Sequence, residues 1–334
     1  MEKIRVIIYG CGVMGRKTAE ALVDKQSIRI VGALDIDPQL VGNDLGDFFD
    51  KPKKTGIIIE KDAQALFSKV KAEAVILTTS SYLKKVYGQI ENCIKARLNV
   101  VSTCEELSFP WKKEPKLSQT IDKLARENGV TVVGTGINPG YLMDTLPLIL
   151  TAPCLRVDSI RVMRMMNSTR RRIPFQKKVG TGLTQEEFRR QIEAKIITGH
   201  VGLLESMQMI AAGLGWELEE AVEFPPQPVI DELEVNTPLG VVKPGDVLGL
   251  MSTAVGKKGG EEVIRLEFCA HAAVSEEYDE IIIKGIPNIH QKMIGGIHGD
   301  IGTVAMTINT IPRAIEAEPG LKVMKDLPLP RAIL

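Results

Sequence analysis

An α/β fold, with a doubly wound parallel sheet first and a separate α+β lobe second, is what the sequence predicts on three observations. Short apolar runs alternate with amphipathic helical stretches from Ile4 to Gly140. That rhythm stops after Gly140 and gives way to two helices and a strand-rich region. Helical spacing then resumes late, at Ile301, Val304, Ala305, Ile308 and Ile311. The expected division is residues 1–140 for the first lobe and 141–297 for the second, with 298–316 packing back onto the first. A chain of 334 residues is long enough for two lobes.

The first lobe opens on "IRVIIYGCGVMGRKTAEALV". Ile4 to Tyr9 is β-branched and apolar, suited to a strand covered on both faces. Gly10, Gly12 and Gly15 follow in G-x-G-x-x-G spacing, ahead of a helix through Ala19, Leu22 and Val23. In that order the glycines give a tight turn, close approach to a pyrophosphate, and close helix–strand packing. The first-turn N–H groups around Val13 and Met14 then face the phosphates. This is the Rossmann arrangement, and a dinucleotide is its expected ligand.

"IRIVGALDID" supplies the second strand. Asp35 lies about 20 residues past Gly15, where an acid takes the adenine ribose hydroxyls. No arginine follows it closely, so NAD is preferred to NADP, unless Lys51, Lys53 or Lys54 folds in to meet a 2′-phosphate. The alternation continues through strands at "TGIII", "AEAVILTTSS", "NVVST" and "VTVVGTGINPG". Helices are expected at "KDAQALFSKVK", "LKKVYGQIENCIKARL" and "KLSQTIDKLARENG". Ligands of such sheets sit beyond the carboxyl ends of the strands. Thr79, Ser80 and Asn138 are therefore cofactor candidates, although Thr79 and Ser80 at a strand end also suit a helix cap.

At the tip of the fifth strand stand Cys104, Glu105 and Glu106. Carboxylates just past an apolar strand are costly to desolvate unless they are paired or used. A solvated turn and a proton-transfer site both meet that condition. If the segment stays extended, Glu106 faces away from Glu105. Cys104 offers a rival chemistry, a thiolate attacking an aldehyde, which would make a semialdehyde dehydrogenase. No histidine lies near it in sequence, and the two acids raise its pKa. A non-catalytic, nucleotide-sensing protein would keep the glycine turn without needing Glu105, Asn138 or Arg170.

In the second lobe "RVDSIRVMRMMN" reads as a long strand. "LTQEEFRRQIEAKIITG" reads as a helix with a Thr184–Glu187 capping box, and "GLLESMQMIAAGLGW" as a second helix with Met207 and Met209 in its packing. Pro228 to Gly285 is strand-rich, with two long strands joined at Lys257 to Gly260. The "NSTRRR" stretch presents Asn167, Thr169 and Arg170, a set suited to a carboxylate and equally to a solvated basic turn. His200 and His271 fit substrate contacts or hydrogen-bonded structural roles. With His290 and His298 they show no metal-ligand spacing, so no metal is expected.

Forty-two basic residues balance forty-two acidic ones, which argues against a nucleic-acid or anionic-membrane partner. Five scattered cysteines without a Cys-x-x-Cys pair suit a reducing compartment. Met1-Glu2-Lys3 runs straight into a strand, leaving no signal peptide, and no apolar run reaches the roughly 20 residues that span a bilayer. A cytoplasmic protein acting on a small molecule is expected.

Taken together, "YGCGVMGR", "STCEELSFPW", "GTGINPGYLMDTLP", "MNSTRRR" and "GGIHGDIGTVAMTINTIP" resemble the 2,4-diaminopentanoate dehydrogenase family. More broadly the chain is similar to the dihydrodipicolinate reductase and meso-diaminopimelate dehydrogenase superfamily. The resemblance implies a homodimer that deaminates 2,4-diaminopentanoate at C4, reversibly, to 2-amino-4-oxopentanoate and ammonia, using NAD or NADP. It also implies that Glu105, the first acid of "STCEE", acts on the amine. Such a carboxylate serves in turn as base, water activator and acid. Dihydrodipicolinate reductases carry a paired-histidine stretch; no His-His occurs here, which counts against that activity.

Overall fold

The computed structural model describes residues 3–171 and 173–333. Two compact units form, one from the chain up to Tyr141 together with the chain from Gly299, the other from Leu142–His298. In the first unit the chain runs β1 (Ile4–Tyr9), α1 (Val13–Val23), β2 (Ile28–Leu34), β3 (Ile59–Glu60), α2 (Ala63–Lys69) and β4 (Ala74–Leu77). It continues through α3 (Leu83–Lys95), β5 (Asn99–Ser102), α4 (Pro115–Asn128) and β6 (Thr131–Gly134).

The second unit holds α5 (Thr145–Leu150), β7 (Arg156–Asn167), α6 (Ile173–Lys178), α7 (Gln185–Glu193) and α8 (Leu203–Gly213). Its remaining strands are β8 (Glu220–Glu223), β9 (Gln227–Ile230), β10 (Val235–Thr237), β11 (Gly240–Val242), β12 (Val247–Lys258), β13 (Glu261–His271), β14 (Tyr278–Ile286) and β15 (Ile289–Ile294). The chain then re-enters the first unit as α9 (Gly299–Glu316) and β16 (Gly320–Lys322).

The first sheet has the order β16-β6-β5-β4-β1-β2-β3, and its neighbouring strands are parallel. One core joins Ile7, Val75 and Leu77 of the sheet to Val86 and Ile90 of α3 and Ile121 of α4, all fully buried. Burying side chains of this size stabilises the unit by about 1.5–3 kcal/mol each. Helix α9 packs against α1, β5 and β6, so the late helix does return to the first unit. Helix α4 ends at Gly129, whose φ of 69° is the left-handed cap that glycine takes without a Cβ penalty.

Two local expectations are corrected, and one element without a prior expectation appears. The "TGIII" strand shrinks to Ile59–Glu60, because Thr55 and Gly56 instead wrap the buried Asp44 carboxylate. Burial pushes that carboxyl up, but bonds from Thr55, Gly46 and Gly56 outweigh it and bring it down to about 2. The new element is β16, which the chain after α9 adds to the sheet edge beside β6. The second correction is that the segment after β5 is a tight 3-10 turn, Glu105–Ser108, and is not extended.

The second sheet runs β15-β14-β7-β13-β12-β8, with β9 also on β12. Only β7 and β13 pair in parallel; the other pairs are antiparallel. The long β12–β13 hairpin turns at Gly259 and Gly260, both at positive φ. Thr184 caps α7 by accepting from the Glu187 N–H, and Met207 and Met209 are fully buried. Among the described residues no helix is long and apolar enough to cross a membrane.

Candidate active site

The glycine turn separates two kinds of constraint. A Cβ on Gly15 would sit 1.8 Å from the Gly10 carbonyl oxygen, so helix α1 can approach the strand only with glycine there. Gly10 lies at φ +99° with Thr79 2.8 Å from its would-be Cβ. Around Gly12 there is nothing within 4 Å, so the fold itself does not demand a glycine at that position. A group lying against the turn would demand one, and the first turn of α1, with Val13 and Met14, has neither an acidic residue nor a side-chain cap. Open space at Gly12 and uncapped N–H groups fit a pyrophosphate.

Asp35 follows β2 directly. Its carboxylate accepts from the N–H of Cys11 at 2.6 Å, of Ile36 at 2.7 Å and of Asp37 at 2.9 Å. These bonds hold it at a cleft of about 450 Å³ that also exposes Gly10, Gly12, Thr79 and Ser80. Thr78 Oγ1 donates to the Gly10 carbonyl at 2.7 Å and so ties the end of β4 to the turn. Thr79 donates to Gln89 of α3 at 2.5 Å, while Ser80 Oγ accepts from the Tyr82 N–H at 3.3 Å. Both residues therefore line the cleft and also brace the start of α3. Lys53 pairs with Asp24 and Lys54 with Asp47, and Lys51 meets Glu20 through its backbone N–H.

The two acids after β5 part company at the 3-10 turn. Glu106 is 6% exposed; one oxygen accepts the Leu83 N–H at the start of α3, at 2.7 Å, and the other meets Lys113 at 2.9 Å. That carboxylate is a helix cap. Glu105 is half-buried, and its carbonyl accepts from Ser108 at 2.7 Å. Adjacent residues of a 3-10 turn point about 120° apart, less than the half-turn of an extended strand. Cys104 is buried, and burial, with Glu106 and Glu105 nearby, pushes its thiol up to about 12. Burial and two neighbouring carboxylates disfavour the thiolate, which counts against the semialdehyde alternative. Asn138 is half-buried in the loop after β6, where the neighbouring Ile137 N–H donates to Thr303 of α9 at 3.3 Å.

In the second unit the polar residues after β7 satisfy one another. Asn167 Oδ1 accepts from the Thr169 N–H at 2.9 Å and its hydroxyl at 2.7 Å. Arg170 is 71% exposed and paired with Glu277 at 2.6 Å. Arg172 lies outside the described residues. The His200 ring stacks on Phe268 at 4.5 Å, and the His200 backbone N–H donates to Ser252 Oγ at 3.2 Å. His271 Nδ1 accepts from the Ala273 N–H at 3.2 Å, and burial lowers its pKa, so the ring is neutral at pH 7.

A guanidinium that the motif reading passed over lies inside β7. Arg164 and Asp279 stand opposite each other in the β7–β14 register, both buried, Nε to Oδ1 at 3.6 Å. Arg164 Nη2 donates to the Ile297 carbonyl, and Asp279 Oδ2 accepts from the Ile297 N–H at 2.8 Å. Arg164 Nη1 has no hydrogen-bond partner among the described residues. It borders a cavity of about 200 Å³ beside Arg171, Glu277, Gly296 and His298. Burial lowers the Arg164 pKa and raises that of Asp279. The signal was present in the alternation Ile160, Val162, Arg164, Met166, which puts a charge on the covered face. Among the described residues no three His, Cys, Asp or Glu side chains gather as metal ligands.

Comparison with known proteins bears on both units. Residues 141–334 match the family model of the 2,4-diaminopentanoate dehydrogenase C-terminal domain, and residues 4–135 match that of the dihydrodipicolinate reductase N-terminus. The chain is 37% identical to a 2,4-diaminopentanoate dehydrogenase of Acetoanaerobium sticklandii, over 100% of this chain and 96% of the relative. The solved amine dehydrogenase of Mycobacterium smegmatis superposes with a TM-score of 0.83 at 26% identity, covering 99% of this chain and 97% of that one. A dipicolinate-bound dihydrodipicolinate reductase from Paenisporosarcina gives a TM-score of 0.55 at 12% identity over 97% and 99% of the two chains, a likeness of fold alone.

Proposed function

Because the chain belongs to the 2,4-diaminopentanoate dehydrogenase family, and so is a dehydrogenase, we propose that it oxidatively removes the C4 amine of 2,4-diaminopentanoate. The products are 2-amino-4-oxopentanoate and ammonia. The observation that carries the reading is the division of labour after β5: Glu106 is consumed as a helix cap, while Glu105 stays half-buried at the carboxyl edge of the parallel sheet. That edge is where such sheets bind their ligands.

A nicotinamide dinucleotide fits the glycine turn, and when bound it supplies the hydride acceptor. Gly12, the first-turn N–H groups of Val13 and Met14, and Asp35 would hold its phosphates and ribose. Glu105 takes a proton from the C4 ammonium, since the amine lone pair must be free before the C4 hydride can leave. After passing that proton to solvent, it draws one from the water that attacks the iminium carbon, and returns one to the departing nitrogen. The balance is ammonium substrate, oxidised cofactor and water going to ketone, reduced cofactor, ammonium ion and one proton.

For the substrate carboxylate the reading favours Arg164 over Arg170. Arg164 is buried with an Nη1 donor to spare, whereas Arg170 is exposed and already engaged by Glu277. A desolvated guanidinium next to a cavity gives a carboxylate far more than an exposed one does. A homodimer belongs to the same reading. It is supported by the family resemblance and by Ile294, 81% exposed on the edge strand β15.

The test is a spectrophotometric assay of nicotinamide reduction with 2,4-diaminopentanoate and with semialdehydes, coupled to ammonia determination. The expected result is amine-dependent reduction with one ammonia per reduced cofactor. Reduction only with aldehydes, or cofactor binding without any turnover, would overturn it.

A further inference from the structure

The cleft beside the glycine turn carries two charged residues, Asp35 and Lys85. We propose that Lys85 sets the choice of cofactor: it is the counter-charge through which the cleft accepts a 2′-phosphorylated nicotinamide dinucleotide as well as NAD. This rests on the reading above that the cleft holds the adenosine half of such a cofactor.

Asp35 alone argues for NAD. Three backbone N–H groups fix its carboxylate where ribose hydroxyls need an acceptor, and it cannot swing aside from a phosphate dianion placed there. An isolated acid in that position repels NADP.

Lys85 alters the balance. It stands one helical turn before Gln89 on α3, and both side chains line the cleft. Gln89 is tied to Thr79, which pins this face of α3 against the cleft at the level of Lys85. The Lys85 ammonium lies 5.0 Å from the centre of the Tyr82 ring, and no carboxylate among the described residues forms an ion pair with it. Its neighbours behave differently: Lys84 pairs with Glu114, Lys53 with Asp24 and Lys54 with Asp47. A flexible ammonium with no ion-pair partner among the described residues, sharing a cleft of about 450 Å³ with Asp35, can serve a phosphate on the ribose that Asp35 reads. Hydroxyls then meet the acid, and a phosphate meets the amine.

The experiment measures dissociation constants of NADH and NADPH for the full chain by fluorescence at low ionic strength, for the wild type, Lys85→Gln and Lys85→Glu. The readout is the ratio of the two constants, so a general loss of binding does not imitate the effect. The ratio Kd(NADPH)/Kd(NADH) should rise about tenfold in Lys85→Gln, the order of one charged hydrogen bond, and further in Lys85→Glu. Raising the salt concentration should shrink the difference between wild type and variant. An unchanged ratio, or equal weakening of both cofactors, overturns this inference and leaves the dehydrogenase reading intact. Binding of neither dinucleotide by the wild type overturns both.

Discussion

The tips of β5 and β7 place the charges proposed above to meet the substrate in opposite ways. After β5 the group proposed for proton transfer, Glu105, lies just beyond the strand, and its twin Glu106 caps α3. After β7 the residues beyond the strand are engaged by Asn167 and Glu277, and the group proposed for the substrate carboxylate, Arg164, lies within it. The difference follows from the sheets. A parallel sheet covered by helices carries its polar chemistry at the strand ends. A largely antiparallel sheet has cross-strand partners that can hold a charge in mid-strand, as Asp279 does.

The comparison can be sharpened first at the glycine turn, where the largest effect is expected. Gly15→Ala forces a carbon onto the Gly10 carbonyl and should cost about 3 kcal/mol or more, enough to lose most folded protein in a thermal melt. Gly12→Ala meets open space and should melt within a few degrees of wild type, yet bind NADH at least about tenfold more weakly. If the two variants melt alike, the division between fold glycine and ligand glycine fails.

The next effect concerns the two arginines. Replacing the buried pair together, Arg164→Met with Asp279→Asn, leaves no stranded charge. It should raise KM for 2,4-diaminopentanoate on the order of 100-fold, the value of a charged hydrogen-bonded anchor. Arg170→Ala removes an exposed ion pair and should change KM by less than about fivefold. Steady-state kinetics would reverse the assignment if Arg170→Ala gave the larger change.

Where local chemistry decides the structure, the sequence was legible. The glycine spacing, the Asp35 position, the β12–β13 hairpin and the start of α9 depend on neighbours close in the chain. The Asp44 loop was not legible, because its bonds run from Thr55 and Gly56 back across about a dozen residues to one carboxylate. Nor was β16, whose Gly-Leu-Lys is too short for any alternation and is a strand only because β6 stands beside it. Arg164 was hidden for a related reason. Its burial is plain in the strand period, but its partner Asp279 is supplied by a register that no local pattern states. Glu105 and Glu106 were told apart on an assumed extended segment; the segment is a 3-10 turn, and what the structure shows is Glu106 capping α3.

The central claim is that two adjacent carboxylates have unrelated work, one moving protons and one holding a helix. It is tested most directly by turnover of 2,4-diaminopentanoate at saturating cofactor, measured for Glu105→Gln and Glu106→Gln side by side. The account predicts a loss of at least about 100-fold for Glu105→Gln, with NADH still bound, and a much smaller loss for Glu106→Gln. Near-normal turnover in Glu105→Gln, or a larger loss in Glu106→Gln without unfolding, contradicts it.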